Sequence, residues 1–544
     1  MTWWKDTVIY EIYPESFYDA NGDGIGDLAG IREKLPELKK LGVETLWLCP
    51  IFPSPMQDGG YDVSDYCDIR KDLGDLAEFD RLMDAMKALG LRLILDIPLN
   101  HTSDQHDWFK QSKQAKEDSY RDFYIWRKGQ GDLPPNNWIS SKVGGSCWEN
   151  SPETDEYYLH LYSACQPDLN WENPKVRDEM AKVLQFWIDR GVSGFRLDVI
   201  NKIGKEPGLP DAPIDPETGQ PQFPEPYFQN HPLSHAYIRE LRETLKGEEI
   251  FLIGQTQGVS EQDAVLYTAP DRKELNSFLQ FEATDYRRAE NQSRESFVDG
   301  WRDRLFRWQS VHESLSPMIF FGSHDLSRSV SHFGDDRAHR RESAKVLALL
   351  LLSLRGVPVV YMGEETGMTN ARYGTFAEYQ DIRTRLAYEY RVVAGGEPED
   401  QVLKEIWEIS RDNARYPIHW NGGENAGFST GKPKLAPAAN FKEVNLEREK
   451  EDPDSVFVFY QTMIQIRKQE AALRRGQFQA EISVPGVISF VRQGENRRLL
   501  VQVNLTDTEK TASWPEGASC LVTTNKADES IEKLSSYEGR ILVI

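Results

Sequence analysis

Several residues in this chain could do chemistry because each follows directly on a short apolar run. Gly194-Phe-Arg196-Leu-Asp198-Val199 ends one run, Gly322-Ser-His324-Asp325 another, and Asp96-Ile-Pro-Leu-Asn100-His101 a third. Leu252-Ile-Gly-Gln255 ends on a carboxamide, and Gly60-Tyr61-Asp62 lies just beyond a fifth run. Carboxylates can attack carbon, hold a cation or move a proton, and imidazoles and guanidinium groups can hydrogen-bond a ligand. A single Asp or His after a strand is usually a cap or a turn. Five such clusters at equivalent places make coincidence a poor explanation.

The elements that must position them alternate between two periods. Strand patterns occur at Val8–Tyr13, Glu44–Pro50, Leu91–Leu99, Val192–Val199, Ile250–Gly254, Phe278–Phe281, Met318–Gly322 and Val357–Tyr361. Helical periodicity fills most of the intervals, as in Leu76–Leu89, Val176–Arg190 and Ser343–Leu354. Eight strands separated by helices predict an α/β chain folded as a (β/α)8 TIM barrel, with a doubly wound sheet as the alternative. In such a barrel the active site forms at the carboxyl ends of the strands, where the clusters above lie. The connection Thr102–Glu172 is too long and too rich in Gly, Pro, Asn, Trp and Tyr to be a plain loop, and predicts an inserted subdomain. Gly204–Pro226 reads as an irregular excursion, and from about Glu470 short strands predict a C-terminal antiparallel β domain.

Composition narrows the partners. The chain has 544 residues and a net charge of −23, which argues against nucleic acid and against an anionic membrane surface. Its 14 Trp residues suit platforms for flat apolar faces such as sugar rings, although most aromatics fill cores. Cys49, Cys67, Cys147, Cys165 and Cys520 are scattered, so neither a disulfide framework nor a zinc site is expected. With no signal-peptide pattern at the start and no membrane-length apolar run, the expected location is cytoplasmic.

In order along the chain stand WWKDTVIYEIYP, DANGDGIGD, GYDVSDY, DIPLNHTS, QPDLNWENP, GFRLDVIN, SHDLSR and RDNAR. This ordered set resembles the α-amylase superfamily, glycoside hydrolase family 13. Within it the chain is similar to the oligo-1,6-glucosidase, dextran glucosidase, α-glucosidase and sucrose isomerase group. The resemblance implies a retaining mechanism, in which two carboxyl groups about 5–5.5 Å apart serve as nucleophile and acid/base. It implies that Asp198 is the nucleophile, that Arg196 holds it ionised, and that Asp325 is the third carboxylate. It implies that His101 and His324 hydrogen-bond the innermost glucose. Tyr61 is implied to stack on that sugar, Asp62 to bind its far hydroxyls in a closed exo-acting pocket, and Arg415 to border the pocket.

One catalytic position departs from the family pattern. Where the family has the acid/base glutamate, this chain has Gln255. A carboxamide cannot cycle a proton, so binding should survive while turnover falls severely. Either the chain is a Glu→Gln variant of an active enzyme or it is a non-catalytic relative; the intact remainder of the pocket favours the former. Ser323 replaces a family Asn, Arg415-Tyr-Pro-Ile-His-Trp420 replaces R-T-P-M-Q-W, and a pocket aromatic reads as lost at Val143. Val199, after the nucleophile, is associated in this group with α-1,6 preference. The isomerase loop R-L-D-R-D is absent, with Ala283-Thr-Asp-Tyr-Arg287-Arg288 near that place, although Val330–Asp336 matches the isomerase stretch V-S-H-F-G-D-D.

Asp19, Asn21, Asp23, Ile25 and Asp27 offer oxygen ligands at alternate positions, a spacing suited to a structural Ca²⁺ or Mg²⁺. No organic cofactor is expected. The resulting expectation is a barrel over 1–102 and 173–470, an inserted subdomain over 103–172 and a β domain over 471–544. Its expected activity is exo-hydrolysis of short α-glucosides, α-1,6 before α-1,4, with transglucosylation. The alternatives are a transglucosidase or isomerase acting on sucrose or malto-oligosaccharides, and a non-catalytic sugar- or partner-binding protein. A monomer or weak homo-oligomer is expected.

Overall fold

The structure is a computed structural model describing residues 2–140, 145–247, 249–313, 315–525 and 532–544. Val143, read above as a lost aromatic, lies outside the described residues. Eight short strands recur along the chain: β1 (Ile9–Ile12), β2 (Thr45–Leu48), β3 (Arg92–Pro98), β4 (Gly194–Asp198), β5 (Phe251–Gln255), β6 (Ser277–Leu279), β7 (Met318–Ile319) and β8 (Val357–Tyr361). They run in the order β7-β8-β1-β2-β3-β4-β5-β6 as a nearly closed (β/α)8 barrel. Every strand overlaps the one predicted at its place. β7 is the shortest: Phe320 and Phe321 continue its buried apolar run beyond the ladder.

The chain forms two compact units, residues 1–49, 84–92 and 281–544, and residues 50–83 and 93–280. In the first, β1 lies between β8 and β2, with Glu11 level with Tyr361 on one side and Trp47 on the other. Helix Leu28–Leu41 is capped by Asp27, whose carboxylate accepts from Gly30 N at 2.6 Å, and it stops at Gly42 in the left-handed region. The C-terminal sheet is antiparallel, in the order Gln477–Ala480, Val487–Gln493, Arg498–Asn504, Gly539–Val543, Ser519–Thr523.

In the second unit β4 and β5 are buried throughout, as strands covered on both faces must be. Register puts Asp96 level with Arg196, and Leu197 level with Gly254, the residue before Gln255. A Cβ at 254 would come within 2.4 Å of the Leu275 side chain, which would have to move. The long connection after β3 carries helix Asp107–Gln114 and a three-stranded antiparallel sheet of Trp126–Arg127, Glu156–Leu159 and Trp148–Ser151. Phe109 stacks on Trp126, and Trp138, Cys147 and Trp148 pack with Leu209, Ala212 and Phe228. The excursion after β4 therefore docks on this sheet, with Trp138 Nε1 donating to Pro210 O at 2.8 Å. Among the described residues none of the five cysteines is in a disulfide. Among the described residues no helix is long and apolar enough to cross a membrane.

Candidate active site

Polar residues inside otherwise apolar strands need partners, and those of β3, β4 and β5 find them in one guanidinium. Arg196 Nη1 donates to Asp96 Oδ1 at 2.8 Å and to Asp198 Oδ1 at 2.5 Å. Its Nη2 donates to Gln255 Oε1 at 2.6 Å. Tyr61 OH donates to Asp96 Oδ2 at 2.8 Å. Burial opposes the charge on Arg196, but the Asp96 and Asp198 carboxylates outweigh it and hold the guanidinium firmly cationic. Arg196 is 2% exposed, and Asp198 and Gln255 sit at 8% and 6%.

Directly after the strand, Val199 adopts φ 42°, ψ 33°. A β-branched side chain in that region costs about 1–2 kcal/mol, so the surrounding fold imposes the turn. It brings Val199 N within 3.3 Å of Gln255 Oε1. Two donors thus fix which end of the carboxamide is oxygen, and Nε2 is the end left to face a ligand.

Around His101, after β3, Nε2 lies 3.1 Å from Gln166 Nε2 and Nδ1 3.4 Å from Asn100 Nδ2; both amides are donors, and the neutral ring accepts from one of them. Asn100 in turn bonds Asp168 at 3.0 Å, and buried Lys205 bridges Asp168 and Asn100 at 2.8 and 2.9 Å. Gln166 also reaches Asp58 Oδ2 at 3.0 Å. Asp62 is fully buried and accepts from Ser54 Oγ, Gln57 N and Asp58 N. Burial pushes its carboxyl up, against those donors. Asp62 thereby holds the loop before Tyr61.

In the other unit the loop after β7 carries His324 and Asp325. Arg415 Nη2 donates to Asp325 Oδ1 at 2.7 Å and Arg415 Nε to His324 O at 2.8 Å. Arg411 Nη1 reaches the same Asp325 oxygen at 3.3 Å, and Arg411 Nη2 bonds Asp381 at 2.6 Å. Ser323, the departure from Asn, accepts from Asp325 N at 3.2 Å and so shapes the turn. Although burial alone would raise it, His324 and the two arginines hold Asp325 well below the usual carboxylate range.

The residues singled out from sequence thus fall into two bonded sets. One gathers Arg196, Asp198, Val199 and Gln255 with Tyr61, and has His101 and Asp62 in networks of their own; the other joins His324, Asp325 and Arg415. Sequence reasoning named no role for Asp96, Gln166, Asp168, Arg411, Asp381 or Glu11. Five of them, all but Asp381, stand inside motifs already quoted; Asp96, Gln166 and Arg411 even open theirs.

The loop after β1 is folded on its own polar atoms. Asp19 accepts from the backbone N–H of Asn21, Gly22 and Gly24, and from Ser429 Oγ. Asn21 and Asp23 accept from Asp23 N and Ile25 N. Burial raises the Asp27 carboxyl, and the neighbouring charge of Asp19 adds to that. An all-oxygen donor set with two close carboxylates fits a hard divalent cation.

Residues 11–476 match the alpha-amylase catalytic-domain family. The chain is 41% identical to the oligo-1,6-glucosidase of Parageobacillus thermoglucosidasius over 558 residues, covering 100% of this chain and 99% of that one. Its structure superposes on trehalose-6-phosphate hydrolase of Bacillus licheniformis with a TM-score of 0.93 at 34% identity, covering 100% of both. It also superposes on trehalulose synthase MutB of Pseudomonas mesoacidophila MX-45, with a TM-score of 0.91 at 37% identity, covering 100% of this chain and 99% of that one.

Proposed function

The chain belongs to the α-amylase family and is a glycoside hydrolase of the α-glucosidase type, and on that premise we propose that it binds and cleaves the terminal α-glucosidic bond of short oligosaccharides by a retaining, exo-acting mechanism. The observation that carries this reading is the Arg196 hub, which grips Asp198 and Gln255 from one guanidinium. With Oδ1 of Asp198 held, the other carboxylate oxygen attacks the anomeric carbon while the bond to the leaving oxygen breaks. Residue 255 supplies a hydrogen bond to that oxygen. As a carboxamide it gives no proton, and in the second step it takes none from water. Beside Asp198, we assign Tyr61, Asp62 and His101 to binding the glucose; His324, Arg415 and Asp325, the third carboxylate, are assigned to the sugar as well.

Turnover by the chain as it stands is accordingly very low, and the variant Gln255→Glu is the form in which to test substrates. Expected is glucose release from isomaltose ahead of maltose, measured by product chromatography. A disaccharide returned from sucrose would point instead to an isomerase, and inertness of all three sugars in a folded protein would favour a sugar-binding role. Val199 is the residue we assign to linkage preference. In the Q255E background, V199T shifts the kcat/KM ratio of isomaltose to maltose towards maltose by about tenfold or more, the scale of one changed contact in a pocket wall. An unchanged ratio would remove Val199 from specificity.

We assign a structural Ca²⁺ or Mg²⁺ to Asp19, Asn21, Asp23, Ile25 and Asp27; it would offset the Asp19–Asp27 repulsion and brace the loop, with no part in bond cleavage. Chelation lowers the unfolding temperature, and calcium restores it. A hundredfold excess over Kd corresponds to about 2–3 kcal/mol. Equal unfolding temperatures with and without chelator would exclude the ion.

A further inference from the structure

We propose that His324 works as a permanent imidazolium clamped between Glu11 and Asp325, and that Glu11 is the positioning residue that keeps it charged. The proposal rests on reading His324 and Asp325 as ligands of the sugar, and it adds a group to which no role was given above. His324 Nδ1 lies 2.7 Å from Glu11 Oε1, and Nε2 lies 3.5 Å from Asp325 Oδ2. A neutral imidazole has one N–H and one lone pair, so either tautomer would aim a lone pair at one of the two carboxylates. Only the doubly protonated ring donates to Glu11 and still turns an N–H, not a lone pair, to the side of Asp325, 3.5 Å away.

The burial of Glu11 makes the same demand. It stands inside β1 at 0% exposure, and its second oxygen, Oε2, has no hydrogen-bond partner among the described residues. A carboxylate so placed needs a cation, and the ring beside it is the one that bonds it. Its Oε1 also accepts from His324 N at 3.3 Å and from Cys49 Sγ at 3.7 Å. Tyr13 lies parallel to the imidazole, 6.4 Å between centroids at 7°, and fixes the ring plane. The groups facing His324 are therefore Glu11 and Tyr13 from β1 and its end, Cys49 after β2, Asp325 beside it, and Arg415, which bonds its carbonyl. Arg415 and burial both oppose a second proton; Asp325 and Glu11 outweigh them and raise the ring above its ordinary value. Charges then alternate from Glu11 through His324 and Asp325 to Arg411 and Asp381.

The consequence is a cationic donor at a sugar hydroxyl that persists where an ordinary histidine has lost its proton. Gln255 does not titrate, so the chain as given isolates this effect in binding. Isothermal calorimetry with isomaltose should give a nearly constant Kd between about pH 5.5 and 8. E11Q keeps the shape and an acceptor but removes the charge. Its affinity should fall above about pH 6.5, by up to about tenfold per pH unit, because the neutral ring loses the positive charge that faces Asp325 and the sugar. E11D, which keeps the charge, should restore a flat profile. ¹³C-labelled histidine spectra, with the resonance assigned through H324Q, should show the ring titrating lower in E11Q. Identical profiles and identical titration in E11Q and the parent would overturn the proposal. Absence of isomaltose binding at every pH would instead sink the glucosidase reading, and the spectra would still decide the charge on the ring.

Discussion

Placing a carboxyl group at position 255 raises glucose release from isomaltose by about 10²–10⁴-fold, the usual worth of a positioned general acid/base. The expectation follows from what the structure has already placed. Arg196 and the Val199 N–H hold one atom of the 255 side chain, so Gln and Glu there share a position and differ in whether the free end can give up a proton. The gain must therefore depend on the leaving group. Fluoride departs without a proton, so α-glucosyl fluoride gains little in the first step on Q255E. The second step still needs a base, because water must lose a proton as it attacks the glucosyl–Asp198 ester. Azide needs none. Added azide should thus speed turnover of α-glucosyl fluoride by the chain as given and yield α-glucosyl azide, while leaving Q255E almost unaffected. Steady-state rates with and without azide, and the anomeric form of the product by NMR, check the whole scheme. A Q255E protein that is folded, binds isomaltose and gains nothing would show that residue 255 is not the proton donor.

Much of this site was legible because barrel strands announce themselves. Continuous apolar runs such as Val192–Val199 end in polar residues that have no reason to be there unless the strand end is used. Asp198, Asp325 and Arg196 were readable in that way; the break at Gln255 showed only against the pattern of the family the chain resembles. What stayed hidden was pairing. Nothing in the spacing says that Arg196 reaches Asp96 on the neighbouring strand, because register between parallel strands is set by helices and packing far from either residue. Glu11 is a sharper case. A lone glutamate in the run Val8–Tyr13 looks like the outward face of an edge strand; only the barrel, with β1 between β8 and β2, turns it into a buried anion. Asp62 shows the reverse limit, since its motif suggests a sugar ligand while its carboxylate is engaged by the loop that precedes it. The docking of the segment after β4 on the inserted sheet depends on Trp138, Cys147 and Phe228 meeting across a long sequence gap, which periodicity cannot convey.

Arg196→Met should be the most damaging single change in the second unit. It removes the cation from between Asp96 and Asp198 and leaves Gln255 with one weak donor. Breaking a buried pair by deleting one partner costs about 3–5 kcal/mol, mostly through the charges left behind. Those charges set the pH dependence. Without Arg196 a buried Asp96 carboxylate is destabilised and takes up a proton more readily, so its folded pKa rises above the unfolded value. The deficit of R196M is then smallest at low pH, where the carboxyl is protonated in both states, and grows as pH rises through the unfolded pKa. Urea unfolding at a series of pH values measures this directly. Adding D96N to R196M removes one stranded charge, and the double variant should recover about 1–3 kcal/mol relative to the sum of the two single changes, the coupling of neighbours in one network. R196K discriminates charge from geometry: an ammonium ion can satisfy one carboxylate but cannot span Asp96, Asp198 and Gln255 as a planar fork does. It should regain part of the stability and, in the Q255E background, little of the activity, with kcat/KM still about 10²–10³-fold down as for loss of a preorganised donor. If R196M unfolds at the same urea concentration as the parent at neutral pH, the three side chains are not held by charge, and the hub on which the proposed mechanism rests must be abandoned.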